Sequence, residues 1–285
     1  MKKIGFIDYY LSEWHANNYP NWLKDTVAKL GVDYTVAYAW GELETSPVDG
    51  VTSAEWCEKY GVELCSSIEE VCEKSDYILI LAPSNPEKHL PYARVALTYG
   101  KNTYIDKTFA PNSAESDEMF AIAEKHGTKF FSTSALRYAE ELDKITASVG
   151  ENVTSMIISG GGSNLPEYIV HIVEMLVKLI KDPVKRVRLT AKGIQKFCDV
   201  ETVNGKTATL IYSPGMAYTA YGENAEGKAR FRAISSPFFN VLMENILNFY
   251  ETGEYPFDPA QTREVMRTRD AILKADTCLG TWVEA

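Results

Sequence analysis

The chain has 285 residues and a formal net charge of −10, and 45% of its residues are hydrophobic. This length suits two domains, and the composition is ordinary for a globular protein in water. The acidic balance argues against nucleic acid or an anionic membrane as the main partner. We find neither a signal peptide nor a run of about 18 apolar residues, and we therefore expect a cytoplasmic protein.

The first half of the chain alternates short apolar runs with helical patterns. We predict strands at 3–7, 34–39, 62–64, 77–81, 102–105 and 129–132, and helices at 21–30, 54–60, 67–74, 90–97 and 113–126. This alternation predicts an α/β domain with a doubly wound parallel sheet. We assign residues 1–135 to such a Rossmann-like domain of the dinucleotide-binding type.

The second half has a different character. Strand-like segments at 153–159, 186–191, 194–200, 207–212, 217–221 and 229–234 follow one another through turns, and helices are predicted at 140–149, 165–181, 237–252 and 259–278. This pattern predicts an α+β domain over 136–285 with a mostly antiparallel, open sheet and helices on one face. The closing helix, 259–278, is a candidate to pack back on the first domain.

The five cysteines are widely spaced and odd in number. Such usage favours reduced thiols over a disulfide framework, and no spacing in the chain calls for a metal site. The residues are Cys57, Cys65, Cys72, Cys198 and Cys278.

Chemistry-bearing residues follow two neighbouring predicted strands. Pro83, Asn85 and His89 come after the strand at 77–81, and Asp106 and Lys107 follow the strand at 102–105. Ligands of open α/β sheets bind beyond the carboxyl ends of the strands. We therefore expect both places to face one crevice.

The loop after the first strand lacks the glycines of a dinucleotide site. Residues 8–15 read DYYLSEWH, and Asp8 and Glu13 add negative charge where phosphates normally lie. The second strand ends at Trp40 instead of an acidic residue. By these residues alone a nicotinamide site is not predicted. The aromatic cluster either fills the crevice or forms a stacking wall for a sugar or adenine; it comprises Tyr9, Tyr10, Trp14, His15, Tyr19 and Trp22.

Two segments carry a family resemblance. APSNPEKH at 82–89 and GKNTYIDKTFA at 100–110 resemble the patterns T-P-N-x-x-x-H and G-K-x-V-x-x-E-K-P of the Gfo/Idh/MocA family, which includes glucose–fructose oxidoreductases and inositol dehydrogenases. Arg137 falls where the family has N-x-R, and EYIVHIVE at 167–174 resembles D-x-G-x-H-x-x-D. The chain departs from the family in the missing glycines and in Asp106-Lys107-Thr108, which replaces E-K-P.

The resemblance implies a site built from both domains. Lys107 and His171 would face the nicotinamide and the substrate carbinol and converge across an interdomain cleft, with Glu167 one turn before His171 on the same helix face. The alternative without a catalytic role is that Lys107 is an ordinary surface lysine and that His171 is a histidine buried in the core. The predicted contacts to NAD or NADP are Asp8, Tyr9, Tyr10, Trp14, His15, Trp40, Pro83, Asn85, His89, Asp106 and Arg137.

The sequence leaves two enzymatic functions open. The first is an NAD(P)-dependent oxidoreductase for a sugar, cyclitol or related polyol, and the second is a non-redox carbohydrate lyase, epimerase or hydratase on the same scaffold. In both, a lysine or histidine tuned to near-neutral pKa moves the proton. A third and weaker alternative is a catalytically silent sugar-binding protein. By analogy with the family we expect a homodimer or homotetramer.

Overall fold

The computed structural model describes residues 1–285, which form two compact units. The first unit comprises Met1–Thr133 and Phe239–Phe257, and the second comprises Ser134–Phe238 and Asp258–Ala285. No helix combines the length and the apolar character needed to cross a membrane.

The first unit is built on a six-stranded parallel sheet in the order β3-β2-β1-β4-β5-β6. Its strands are β1 (Lys2–Asp8), β2 (Tyr34–Gly41), β3 (Glu63–Leu64), β4 (Tyr77–Ile80), β5 (Thr103–Ile105) and β6 (Phe130–Phe131). Its helices are α1 (Trp14–Leu30), α2 (Ser53–Tyr60), α3 (Ile68–Lys74), α4 (His89–Ala96) and α5 (Ser113–His126). The central strands are apolar on both faces because helices cover both. The predicted doubly wound sheet is confirmed.

Helix α1 begins seven residues earlier than the sequence predicted, at Trp14 instead of residue 21. The Glu13 side chain accepts hydrogen bonds from the backbone N–H groups of the first turn and so caps the helix. Pro20 lies inside the helix instead of near its start. The early start brings His15 and Tyr19 onto the buried face of α1.

The second unit is built on a seven-stranded mixed sheet in the order β12-β11-β7-β10-β9-β8-β13. Only the β7–β10 pair is parallel, so the predicted mostly antiparallel sheet is confirmed. Its strands are β7 (Val153–Gly160), β8 (Val184–Lys192), β9 (Gln195–Thr202), β10 (Thr207–Tyr212), β11 (Thr219–Asn224), β12 (Ala229–Ala233) and β13 (Trp282–Glu284). Its helices are α6 (Glu140–Val149), α7 (Leu165–Ile180) and α9 (Ala260–Asp276). The nearly all-apolar α7 lies at the centre of the core.

The helix α8 (Phe238–Thr252) returns to the first unit from its second residue onward. The Tyr250 hydroxyl donates to the Ile78 carbonyl at 2.6 Å, and its ring stacks on Tyr77 with 4.6 Å between centroids. The helix that packs back is therefore α8, whereas the closing helix α9 stays with the second unit. The sequence did not separate these two amphipathic helices, because both present an apolar stripe.

Candidate functional site

The first part of the candidate site lies at the carboxyl edge of the first unit's sheet. Asp8 ends β1, and Asp106 and Lys107 follow β5 directly. The Asp8 and Asp106 residues are each 1% exposed, and Lys107 is 8% exposed. Lys107 Nζ donates to the Pro83 carbonyl at 3.1 Å, so the two turns that the sequence pointed toward one crevice do meet.

Asp8 is held by the backbone and surrounded by other carboxylates. Its Oδ1 accepts hydrogen bonds from Tyr9 N at 2.7 Å and Ala82 N at 3.0 Å. Burial raises the pKa of Asp8 well above its ordinary value, and the carboxylates of Glu13 and Asp106 raise it further. The carboxyl edge therefore favours a neutral Asp8 and disfavours additional negative charge.

His15 lies between two of these carboxylates. Its Nδ1 is 3.5 Å from Glu13 Oε2, and its Nε2 is 3.7 Å from Asp106 Oδ2, which is beyond hydrogen-bond length. Asp8 Oδ2, Asp106 Oδ2 and His15 Nδ1 are buried without a hydrogen-bond partner. We call Asp8, Glu13, His15 and Asp106 the acidic cluster. Neither this cluster nor any other group of three or more histidine, cysteine or carboxylate side chains is arranged to hold a metal ion.

The aromatic residues of the 8–22 segment separate into two places. Trp14, His15 and Trp22 gather around Phe239 of α8, with the Trp22 and Phe239 rings stacked at 4.9 Å. Tyr9 instead lies under the Lys88 ammonium, 4.4 Å from the ring centroid. Trp14 remains 54% exposed, so an open aromatic face is present next to the acidic cluster.

The remaining predicted cofactor contacts of the first unit are engaged locally. Trp40 packs edge-on against Tyr92 at 5.6 Å, and Asn85 Nδ2 donates to Glu87 Oε1 at 2.9 Å. His89 is fully buried, and its ring nitrogens contact the carbonyl oxygens of Leu81 and Phe109. Burial lowers the pKa of His89. The imidazole thus ties the β4 end to the segment after β5, and a cofactor contact through it stays a prediction.

The second part of the candidate site lies in the second unit, on α7. His171 Nδ1 is 2.6 Å from Ser134 Oγ, and the imidazole packs against the rings of Tyr168 and Tyr218 at 5.7 and 5.8 Å. The histidine is half-buried. Its orientation is therefore fixed by one hydroxyl and two aromatic faces.

Glu167 and Arg137 have structural partners within the second unit. Glu167 lies in the first turn of α7, where Asn164 Nδ2 donates to its Oε2 at 3.1 Å. Arg137 Nε donates to Glu174 Oε1 and its Nη1 to Gln261 Oε1 at 2.8 Å. Their catalytic and cofactor-binding roles stay predictions, as does the convergence of Lys107 with His171.

The sequence did not single out Ser134, Tyr168 or Tyr218. One signal was present: the run Gly160-Gly161-Gly162 ends β7. A Cβ at residue 162 would lie 2.0 Å from the Tyr168 ring, and one at residue 160 would lie 2.3 Å from the Tyr218 ring. These glycines are therefore required by the aromatic side chains that surround His171.

The strand order of the first sheet is that of the classical dinucleotide-binding fold, and the second unit adds an open sheet with helices on one face. This defines a two-unit α/β protein of the Rossmann class. Residues 48–134 match the model of the Gfo/Idh/MocA group, described as an oxidoreductase family with an NAD-binding Rossmann fold. The predicted resemblance to the Gfo/Idh/MocA oxidoreductases is therefore confirmed over this segment of the chain.

Similar proteins support the fold over a wider range than the sequence match. An uncharacterized oxidoreductase, YhhX of Escherichia coli, is 33% identical over 66 residues, which are 23% of this chain and 19% of that protein. A myo-inositol dehydrogenase from Lactobacillus casei, solved with NAD(H) and myo-inositol, superposes with a TM-score of 0.80 at 11% identity, covering 100% of this chain and 96% of its own. A probable dehydrogenase from Thermotoga maritima gives 0.79 at 13% identity, covering 99% and 98%.

The residues at the start of α1 do not fit the pyrophosphate of a nicotinamide dinucleotide. In the Rossmann arrangement this group binds to the free N–H groups of the first helical turn. Here the Glu13 carboxylate accepts the N–H groups of His15 and Ala16. The chain thus supplies its own anion at this position, and no catalytic step is derived through the dinucleotide.

Proposed function

We propose that this chain is an enzyme that acts on a hydroxyl-bearing or carbonyl carbon of a sugar, cyclitol or related polyol, with Lys107 and His171 moving the proton. The observation that carries the proposal is the position of Lys107. Its ammonium is nearly buried at the carboxyl edge of the sheet, inside the segment that matches the oxidoreductase family. Ligands of such sheets bind at this edge.

Lys107 and His171 suit different parts of a proton transfer. An alcohol that is oxidised, or a carbon next to a carbonyl that is deprotonated, needs a base within hydrogen-bond reach. A lysine at a desolvated sheet edge can serve as that base, and an oriented imidazole can donate to or accept from the substrate oxygen. Glu167 would bind a substrate hydroxyl near His171.

Two forms of the reaction are compatible with these roles. The redox form, an oxidoreductase that uses NAD or NADP, is supported by the family match and by one similar structure, 11% identical, that was solved with NAD(H). The non-redox form, a lyase, epimerase or hydratase, is favoured by the carboxylate of Glu13 at the start of α1. The substrate class is the same in both forms.

A panel of cyclitols, sugars and keto-sugars tests the proposal. Turnover is followed at 340 nm with NAD or NADP and by ¹H NMR without either. We expect at least one substrate to be converted and the rate to fall about 100-fold or more in Lys107→Ala and in His171→Ala. Lys125 and His126 are exposed residues of the same two types and provide matched controls. Lys125→Ala and His126→Ala should retain the wild-type rate. Unchanged rates in the first two variants would reject the assignment.

We further propose that the chain assembles as a homodimer or homotetramer through the open face of the second sheet. Residues in register across the seven strands form one row on that face. Two apolar members, Ile157 and Phe231, are 46% and 56% exposed. Light scattering should give a multiple of 31.9 kDa for the wild type and the monomer mass for Ile157→Asp. A monomeric wild type would exclude the assembly.

A further inference from the structure

The start of α1 carries an inference about the cofactor that goes beyond the proposed function. Two backbone N–H groups that a helix leaves unpaired in its first turn are already bound by one side chain. Glu13 Oε2 accepts from His15 N at 2.8 Å, and Glu13 Oε1 accepts from Ala16 N. The Glu13 side chain is 8% exposed. A phosphate would have to displace a buried carboxylate to reach these donors.

Charge opposes a phosphate at the same place. The carboxylates of Glu13 and Asp106 lie on the two sides of His15, and Asp106 is 1% exposed. Like charges in a desolvated site repel strongly because little water is present to screen them. His15 is the imidazole between Glu13 and Asp106, and it faces both carboxylates instead of leaving a cationic surface for a ligand.

The loop between β1 and α1 also packs against the end of β2. Its backbone is bound to the segment after β2, with Glu42 N donating to the Asp8 carbonyl at 3.1 Å and Leu43 N to the Tyr9 carbonyl at 2.8 Å. Leu11 is 1% exposed, and a Cβ at residue 41 would lie 3.3 Å from its Cγ. The loop is thus packed against β2, where the adenosine half of a dinucleotide lies in a Rossmann site.

The carboxylate after β2, where a Rossmann site binds the ribose, is also bound by side chains of this chain. Glu42, the first carboxylate beyond the strand, accepts from the Tyr92 hydroxyl at 2.7 Å and from Lys88 Nζ at 2.5 Å. Burial acts to raise the pKa of Glu42, but the hydrogen bonds from Lys88 and Tyr92 together outweigh it and lower the pKa. The carboxylate is therefore held in its charged form by the chain itself.

We infer that the chain's own residues block the dinucleotide-binding site. The chain does not bind NAD or NADP through the pyrophosphate at the start of α1. The inference concerns Glu13, Asp8 and the loop, and it does not depend on the roles of Lys107 and His171. It selects the non-redox form of the proposed reaction.

The test is a titration of the full-length chain with NADH and NADPH, followed by energy transfer from tryptophan and by calorimetry. Soluble cosubstrates of enzymes saturate between about 1 μM and 1 mM. We expect no saturation up to about 1 mM, and saturation below that concentration would overturn the inference. Turnover that depends on Lys107 but needs no nicotinamide would leave the proposed function intact, so the two can fail separately.

A variant tests whether Glu13 and Asp8 are the cause. Serine is a good helix N-cap without a charge, and glycine removes the buried carboxylate at the β1 end. In Asp8→Gly/Glu13→Ser we expect the affinity for NADH to rise at least tenfold, with circular dichroism confirming that the variant is folded. An unchanged affinity in a folded variant would overturn the assignment to these two residues.

The surroundings of His171 carry a second, independent inference, which rests on the proposed role of that histidine. Ser134 Oγ accepts a hydrogen bond from Leu136 N at 3.2 Å and is 2.6 Å from His171 Nδ1. A hydroxyl can accept two hydrogen bonds and donate one, so the bond from Leu136 N leaves the Ser134 O–H able to donate to Nδ1. We propose that Ser134 is a positioning residue that keeps the proton of neutral His171 on Nε2.

Ring ¹⁵N chemical shifts of His171 report the tautomer without any substrate. We expect the Nε2–H form in the wild type, a mixture of tautomers in Ser134→Ala and recovery in Ser134→Thr, which keeps the hydroxyl. The same tautomer population in wild type and Ser134→Ala would overturn the proposal. Because the measurement does not use activity, a missing substrate does not affect its outcome.

Discussion

Replacing Glu174 by glutamine tests the buried ion pair of the second unit. Arg137 is 4% exposed and Glu174 is 2% exposed, and Glu174 Oε2 also accepts from Ser134 N at 3.4 Å. Removing the charge of one member leaves the other as an uncompensated buried charge, which costs about 3–5 kcal/mol. Because glutamine retains an acceptor for the guanidinium, we expect the lower value, about 3 kcal/mol.

Urea denaturation followed by circular dichroism measures this loss as a lower midpoint. The exposed pair of Lys144 with Glu140 is the matched control, and Glu140→Gln should change the stability by less than about 1 kcal/mol. The double variant Arg137→Met/Glu174→Met should be more stable than Glu174→Gln, since it leaves no unpaired charge. If Glu174→Gln is within about 0.5 kcal/mol of the wild type, the pair does not support the fold as described.

Two further predictions follow from the buried titratable groups. The raised pKa of Asp8 means that the folded protein holds this proton to a higher pH than the unfolded chain, whose value is near 3.8, so this group lowers stability as pH rises above that value. Asp8→Asn should therefore gain stability over the wild type as pH increases from 4 toward neutrality, measured by urea midpoints; a constant difference would contradict the raised pKa. Burial raises the pKa of the Cys198 thiol to about 12 and of Cys65 to about 11, whereas Cys278 is partly exposed. Native protein at pH 8 should react with a thiol reagent at Cys278 first, and equal modification of all five cysteines would show that the core is open.

Most of the fold could be predicted from the sequence, because the patterns that indicate helices, strands and turns are local. The apolar run that forms β4 is buried on both faces, and a parallel central strand requires this. The segments around Pro83 and Lys107 carried the family resemblance, and they meet at the carboxyl edge. Periodicity and turn residues also gave the change from parallel to mostly antiparallel sheet.

The candidate site could be predicted less well than the fold, because its contacts join positions that are distant in the sequence. Glutamate is not among the usual N-cap residues, so no residue pattern indicated that α1 starts at residue 14. Ser134 and His171 are 37 positions apart and belong to different elements, so no spacing rule connects them. The return of α8 to the first unit depends on Tyr250 and its buried partners. The sequence does not reveal these contacts either, because they join distant positions.

The most direct test of the central claim is a comparison of the two single variants with the double variant Lys107→Ala/His171→Ala on one converted substrate. Residues that act together in one reaction are strongly non-additive. The account predicts that both single variants lose most of the activity and that the double variant loses little more than the worse single one. Losses that multiply, or a single variant with the wild-type rate, would contradict a shared role in proton transfer.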